Sequence, residues 1–265
     1  MKTFGRFAGR TTYALSLGVI LLFLIAPALL VVLLSFSNDP SIAFPPVRWG
    51  VRNYSTLLDT PKWGEAIVLS LGLAIVVAIF SAIVAVPSVF AIGRTRLSRF
   101  SALPFLGILP LLVPQAAYAV GLYLVMGQLG LLGSFWGLAA AHLAVCFPFV
   151  FVIARSGLAR LSPDLELVAM TMGASRFQAW SGITLRLLVP VILSGGLFAF
   201  LTSFDEAVFS NFLAGPGLIT LPKAIFDSVR LGVDPVITAI AASLMVFTAI
   251  CLGAAALLRR KETSS

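Results

Sequence analysis

Long apolar runs separated by short polar joints organise this chain. Stretches near the length a helix needs to cross a hydrocarbon core recur six times, at roughly residues 12–36, 65–92, 102–126, 131–154, 187–204 and 235–258. In lipid the backbone must satisfy its own hydrogen bonds, so each run predicts a helix, and unbroken apolar runs lack the alternation of barrel strands. The expected architecture is an all-α integral membrane protein with six transmembrane helices in a single domain over residues 1–265. The third run contains Pro104, Pro110 and Pro114, followed by Gln115 and Tyr118. Interior prolines remove backbone hydrogen bonds, so this helix is expected to be kinked or broken. Broken helices at membrane depth line protein or a cavity, which makes Gln115 and Tyr118 candidates for a translocation path. A kinked packing helix is the alternative.

Composition agrees with the pattern. With 60% hydrophobic and 11% charged residues in 265, the chain lies outside the range of an ordinary soluble domain. Placing the N-terminus in the cytoplasm leaves only Arg48, Arg52, Lys62, Lys223 and Arg230, of 18 basic residues, on the outer side. That is the positive-inside asymmetry, and it predicts that both termini are cytoplasmic. The net charge of +8 then requires no nucleic-acid partner. The basic start at Lys2, Arg6 and Arg10 would also suit a signal peptide. The first run is longer than a typical signal core and continues past Pro27 into further Leu and Val, so it reads as an anchor. Cys146 and Cys251 fall in spans without metal-ligand spacing and read as packing residues, and no metal site is expected. His142, the only histidine, suits a hydrogen bond between helices, with a place in a polar pathway as the alternative. The outer segment from Asn38 to Trp63, rich in proline and aromatics, reads as an interfacial cap.

One segment is too polar to span a bilayer although spans flank it: residues 155–186. It reads as two short helices joined by a turn. Ser162 and Pro163 suit the start of the first, with Asp164 and Glu166 near its positive end. Leu165, Val168, Ala169 and Met172 recur on one apolar face, suited to a groove on another protein. Gly173 can end that helix, and Ser175 with Gln178 forms a capping box for the next. A helix resting on the membrane surface is the competing explanation.

These residues also carry a resemblance. Leu165, Glu166, Ala169, Gly173, Ala174, Ser175, Thr184, Leu185 and Leu187 match the spacing of the cytoplasmic "EAA" loop of bacterial ABC-importer permeases, while Leu167 replaces its characteristic Glu and Arg186 a Pro. Asn53-Tyr54-Ser55-Thr56-Leu57-Leu58 resembles the element before the second helix of polyamine-type permeases. Ser203-Phe204-Asp205-Glu206, then Phe212 to Gly217 and Thr220-Leu221-Pro222, resemble the signature of the second permease subunit in spermidine/putrescine importers.

The resemblance implies a type I ABC importer permease in a bacterial inner membrane. Its partners would be a related permease subunit, two ATPase subunits and an extracytoplasmic solute-binding protein, with lipid around it. The docking loop would comprise Leu165, Glu166, Val168, Ala169, Met172, Gly173, Ala174 and Ser175. Asp205 and Glu206, at the outer end of a span, would attract a cationic solute such as a polyamine; capping a turn or contacting the binding protein are their other readings. Related permeases carry iron(III), phosphonates, opines or amino-acid derivatives, and a stand-alone secondary transporter is a further alternative. No Gly-x-x-x-x-Gly-Lys-[Ser/Thr] occurs, so the chain is not expected to be an enzyme or to hold a cofactor. ATP and magnesium would belong to the ATPase partners.

Overall fold

The computed structural model describes residues 2–95, 100, 102–232 and 234–262; the side chains of 2–12, 14 and 251–262 lie outside that description, and so do Cys251 and the basic residues Arg96 and Arg99. In chain order the α-helices are α1 (Lys2–Ser35), α2 (Arg52–Asp59), α3 (Pro61–Arg94), α4 (Leu103–Leu106), α5 (Gln115–Gln128) and α6 (Phe135–Leu158). Then come α7 (Asp164–Thr171), α8 (Arg176–Ala179), α9 (Leu185–Phe204), α10 (Val208–Leu213), α11 (Leu221–Leu231) and α12 (Val236–Glu262). Among the described residues, four helical stretches are long and apolar enough to cross a membrane: Leu15–Ser35, Pro61–Arg94, Phe135–Leu158 and Arg176–Phe204. Val236–Ile250 forms a shorter apolar stretch.

The proline-rich third run is divided as its sequence dictates. Pro104 opens α4, Pro110 sits in a 3-10 turn at Leu109–Leu112, and Pro114, with extended ψ of 128°, immediately precedes α5. Each ring therefore occupies a start, where its missing N–H costs no helical bond. A side chain on Gly107 would put its Cβ 2.7 Å from the Phe151 ring, so the broken segment approaches α6 closely.

By packing, the chain divides into two units, Met1–Gly64 with Asp227–Ser265, and Glu65–Phe226. Within the first, α1 packs along α12 and α2 also meets α12. The Asn-Tyr element has a local task there: Asn53 Nδ2 donates to the Ser35 carbonyl at 3.4 Å, and the Tyr54 and Ser35 hydroxyls lie 2.7 Å apart. These bonds fasten α2 to the end of α1. Asp39 holds the intervening outer loop by accepting the Val47 N–H at 2.8 Å and Arg48 Nε at 3.2 Å. The aromatic residues of this cap differ in setting, since Trp49 is exposed and Trp63 is fully buried.

Within the second unit the core is built on α6 and α9, with Leu73, Val77, Leu138, Phe151, Ala199 and Phe209 among its buried residues. Small residues let the two helices meet. A Cβ on Gly157 would fall 2.8 Å from Val191, and one on Gly195 would fall 3.4 Å from Val150. Ser134 starts α6 by accepting the Gly137 N–H at 3.0 Å.

Candidate functional site

The polar segment between α6 and α9 owes its shape to backbone bonds that its sequence specifies. The expected cap by Ser162 is displaced by one residue: Pro163 immediately precedes α7 without a side-chain cap, and Ser162 Oγ accepts the Asp164 N–H at 3.2 Å in the turn ahead of it. At the other end Gly173 has φ +95°, the Ala174 N–H reaches the Ala169 carbonyl at 3.1 Å, and the Gly173 N–H reaches that of Met170 at 3.1 Å. This nested pair is a Schellman closure, which requires the left-handed residue that glycine provides. Ser175 at once begins α8, its N–H donating to Gln178 Oε1 at 2.8 Å while its Oγ accepts the Gln178 N–H at 3.3 Å. Gly-Ala-Ser thus closes one helix and opens the next within three residues.

α8 differs from the expected separate short helix. It runs through a π turn, Trp180–Thr184, directly into α9, so helical backbone continues from Arg176 to Phe204. Arg186 suits that continuity, because a proline there would remove an N–H from an unbroken helix. Leu165, Val168 and Met172 are exposed along α7, Met172 by 84%, whereas Ala169 and Ala174 are half-buried and Gly173 and Ser175 exposed. Leu167 is 52% exposed, so its departure from the family Glu falls on the outward surface.

Glu166 faces the other way. It is 7% exposed, and its Oε1 accepts both Arg94 Nε at 3.2 Å and Thr184 Oγ1 at 2.6 Å. Arg94 Nη2 also donates to the Leu161 carbonyl at 2.6 Å. Of the residues read as docking groups, Glu166 is therefore engaged inside the chain, and Leu165, Val168 and Met172 are presented outward. Arg94 is one of the basic residues that the charge asymmetry assigns to the cytoplasmic side, and Thr184 is a motif match. The second carboxylate of α7, flanked by Leu165 and Leu167, with an arginine ending the second span, is the signal for the pair.

A second group lies beyond α9. An open pocket of about 470 Å³ is lined by Gln115, Leu201, Thr202, Asp205, Glu206, Ala207 and Val208. Three of the four residues read as a translocation path thus come together. Tyr118 does not line this pocket; its ring packs edge-on against Phe209 at 5.8 Å. The two acids also differ. Glu206 is 6% exposed, and its Oε1 accepts the N–H groups of Val208 at 2.7 Å and Phe209 at 3.1 Å, while Oε2 accepts Gln115 Nε2. It caps α10. Burial pushes its carboxyl above the ordinary glutamate range, the Asp205 charge adds to that, and the N–H groups of Phe209 and Val208 and the Gln115 amide pull the other way. Asp205 is exposed beside it and is the better placed of the two to present charge to a solute.

Behind this pocket His142, 1% exposed, ties three helices together. Ser210 Oγ donates to the Glu206 carbonyl at 2.9 Å and lies 3.4 Å from His142 Nε2. His142 Nδ1 lies 3.0 Å from Ser203 Oγ. α6, α9 and α10 share this network, whose serine partners carried no periodic signal in the sequence.

Residues 74–263 match the family described as binding-protein-dependent transport system inner membrane component. The chain is 34% identical to the putrescine transport system permease protein PotI of Escherichia coli (strain K12), across 83% of this chain and 80% of that one. It is 28% identical to the spermidine/putrescine transport system permease protein PotC of the same strain, across 91% of each. In three dimensions it resembles a bacterial ABC transporter involved in the import of the acidic polysaccharide alginate, with a TM-score of 0.74 and 16% identity over 97% of this chain and 96% of that one.

Proposed function

This chain belongs to the family of binding-protein-dependent transport system inner membrane components, and from that membership we propose that it is the permease subunit of an ATP-driven importer for a polyamine. The observation that carries the transport half is α7: an exposed apolar face on a helix closed at Gly173 and joined through α8 to a membrane-length helix. A short helix fixed in this way moves as a body when a bound partner moves. The chain has no phosphate-binding loop, so energy enters through that surface. Two ATPase subunits, holding ATP and magnesium, are its occupants, and a related permease subunit and an extracytoplasmic binding protein complete the assembly. The substrate half rests on the polyamine permeases among the relatives and on Asp205, an exposed carboxylate in the pocket beyond α9.

Reconstitution with the ATPase, the partner permease and the binding protein tests the reading. ATP-dependent accumulation of labelled putrescine is expected. Accumulation driven by an ion gradient without the ATPase would make the chain a secondary transporter. Preference for 2-aminoethylphosphonate, carried by a relative of 27% identity according to its name, would move the substrate to another class.

The distribution of basic residues adds an orientation: both termini and α7 lie in the cytoplasm, and α2 lies outside. A cysteine replacing the exposed Ser55 is expected to react with a membrane-impermeant maleimide in intact cells, and one replacing the exposed Thr171 only after permeabilisation. The opposite pattern would invert the topology.

A further inference from the structure

We propose that the Arg94–Glu166 ion pair, shared with Thr184, is a coupling strut that makes α3 the third helix to which the docking helix is fastened. The proposal rests on the reading of α7 as the ATPase-docking helix. The chain itself joins α7 to α6 on one side and, through α8, to α9 on the other. α3 has no such connection, yet its last turns grip the segment. Arg94 holds Glu166 of α7 and the Leu161 carbonyl just before it, Phe90 meets Trp180 with ring centroids 5.0 Å apart, and Gly93 lets the Leu158 side chain approach.

The geometry suits transmission better than passive decoration. Both charged side chains are nearly buried, with exposures of 12% and 10%, so removing either partner strands a charge. One carboxylate oxygen takes two donors, Arg94 Nε of α3 and Thr184 Oγ1 of the π turn, and so ties two other elements to α7. An eight-residue helix has too few internal bonds to be rigid by itself, so outside anchors determine what its movement pulls on. Arg94 also bridges two acceptors with one planar group, a task for which lysine has the wrong shape. Arg94, Glu166 and Thr184 act through α7 and are positioning residues.

The test is the number of labelled putrescine molecules imported per ATP hydrolysed by the assembled complex in proteoliposomes. Arg94→Glu and Glu166→Arg are each expected to lower this ratio about tenfold, within the usual range for coupling between sites, and the double reversal is expected to restore most of it. Arg94→Lys, which keeps the charge and loses the bridge, is expected to fall between. A structural role alone would reduce assembled complex and transport together without changing the ratio. A normal ratio in both single variants, or a double reversal as impaired as either, overturns the strut.

Should a single variant fail to assemble, Arg94→Cys with Glu166→Cys joined by a short bifunctional maleimide supplies a covalent strut. The ratio is then expected to rise on cross-linking, and no rise overturns the proposal. Met172→Asp separates the two ideas: if it leaves hydrolysis coupled, the docking reading itself has failed. If it uncouples while the Arg94 variants do not, only the strut has.

Discussion

Met172→Asp is expected to cut substrate-stimulated ATP hydrolysis about thirtyfold, equivalent to about 2 kcal/mol at a buried contact, while the subunit inserts and assembles normally. The side chain is 84% exposed, so folding does not depend on it. Placed in an apolar groove, however, a carboxylate has no partner and loses its water. Gly173→Val is expected to give a similar loss by a different route. At φ +95° a β-branched residue is strongly disfavoured, at about 1–3 kcal/mol, and the Schellman closure that sets the angle between α7 and α8 would open. No atom lies near the Cβ that valine would add, so backbone angle and not collision is what changes. Stimulated hydrolysis at the wild-type rate in either variant would show that α7 lies against lipid and not in a partner.

The second large effect separates the two neighbouring acids. Glu206→Ala is expected to destabilise the protein by about 2–4 kcal/mol, because the helix cap is lost and the Val208 and Phe209 N–H groups go unpaired. Glu206→Gln keeps an acceptor for both and is expected to be milder. Asp205→Asn should leave thermal stability unchanged and slow uptake of a cationic solute several-fold at low salt. That difference should shrink as salt rises, since exposed charges are screened over about 8–10 Å at ordinary ionic strength. Thermal unfolding followed by fluorescence, with uptake in proteoliposomes, distinguishes these outcomes. A fully stable Glu206→Ala protein would remove its capping role, and wild-type uptake by Asp205→Asn at low salt would remove Asp205 from the path.

Legibility in the sequence followed the range of the forces concerned. The interruption of the third run was readable because proline acts on its own backbone, and Pro104, Pro110 and Pro114 stand at the starts of short elements. The Gly173 closure and the Ser175–Gln178 box were readable for the same reason: their partners lie within five residues. What needed the fold were bonds across long separations. Glu166 looked like a dipole-favoured surface residue until Arg94, 72 positions away, was found beside it. Glu206 reads in the sequence as half of an acidic pair or as the cap of a turn, and its bonds to the Val208 and Phe209 N–H groups and to Gln115, 91 positions away, select the cap. The join of α8 to α9 was missed because a π turn leaves the apolar pattern out of step with simple helical spacing.

That wide turn fixes an angular phase. An α-helix rotates about 100° per residue, so taking up one extra residue over Trp180–Thr184 displaces the faces before it from those after it by about that angle. The direction in which the Gly-Ala-Ser junction points, relative to the face that α9 turns toward α6, is therefore a matter of residue count as much as of residue identity. Losing a single residue there would swing the docking face around the helix axis with every contact residue still in place. Lengthening α9 at its far end would leave that bearing untouched.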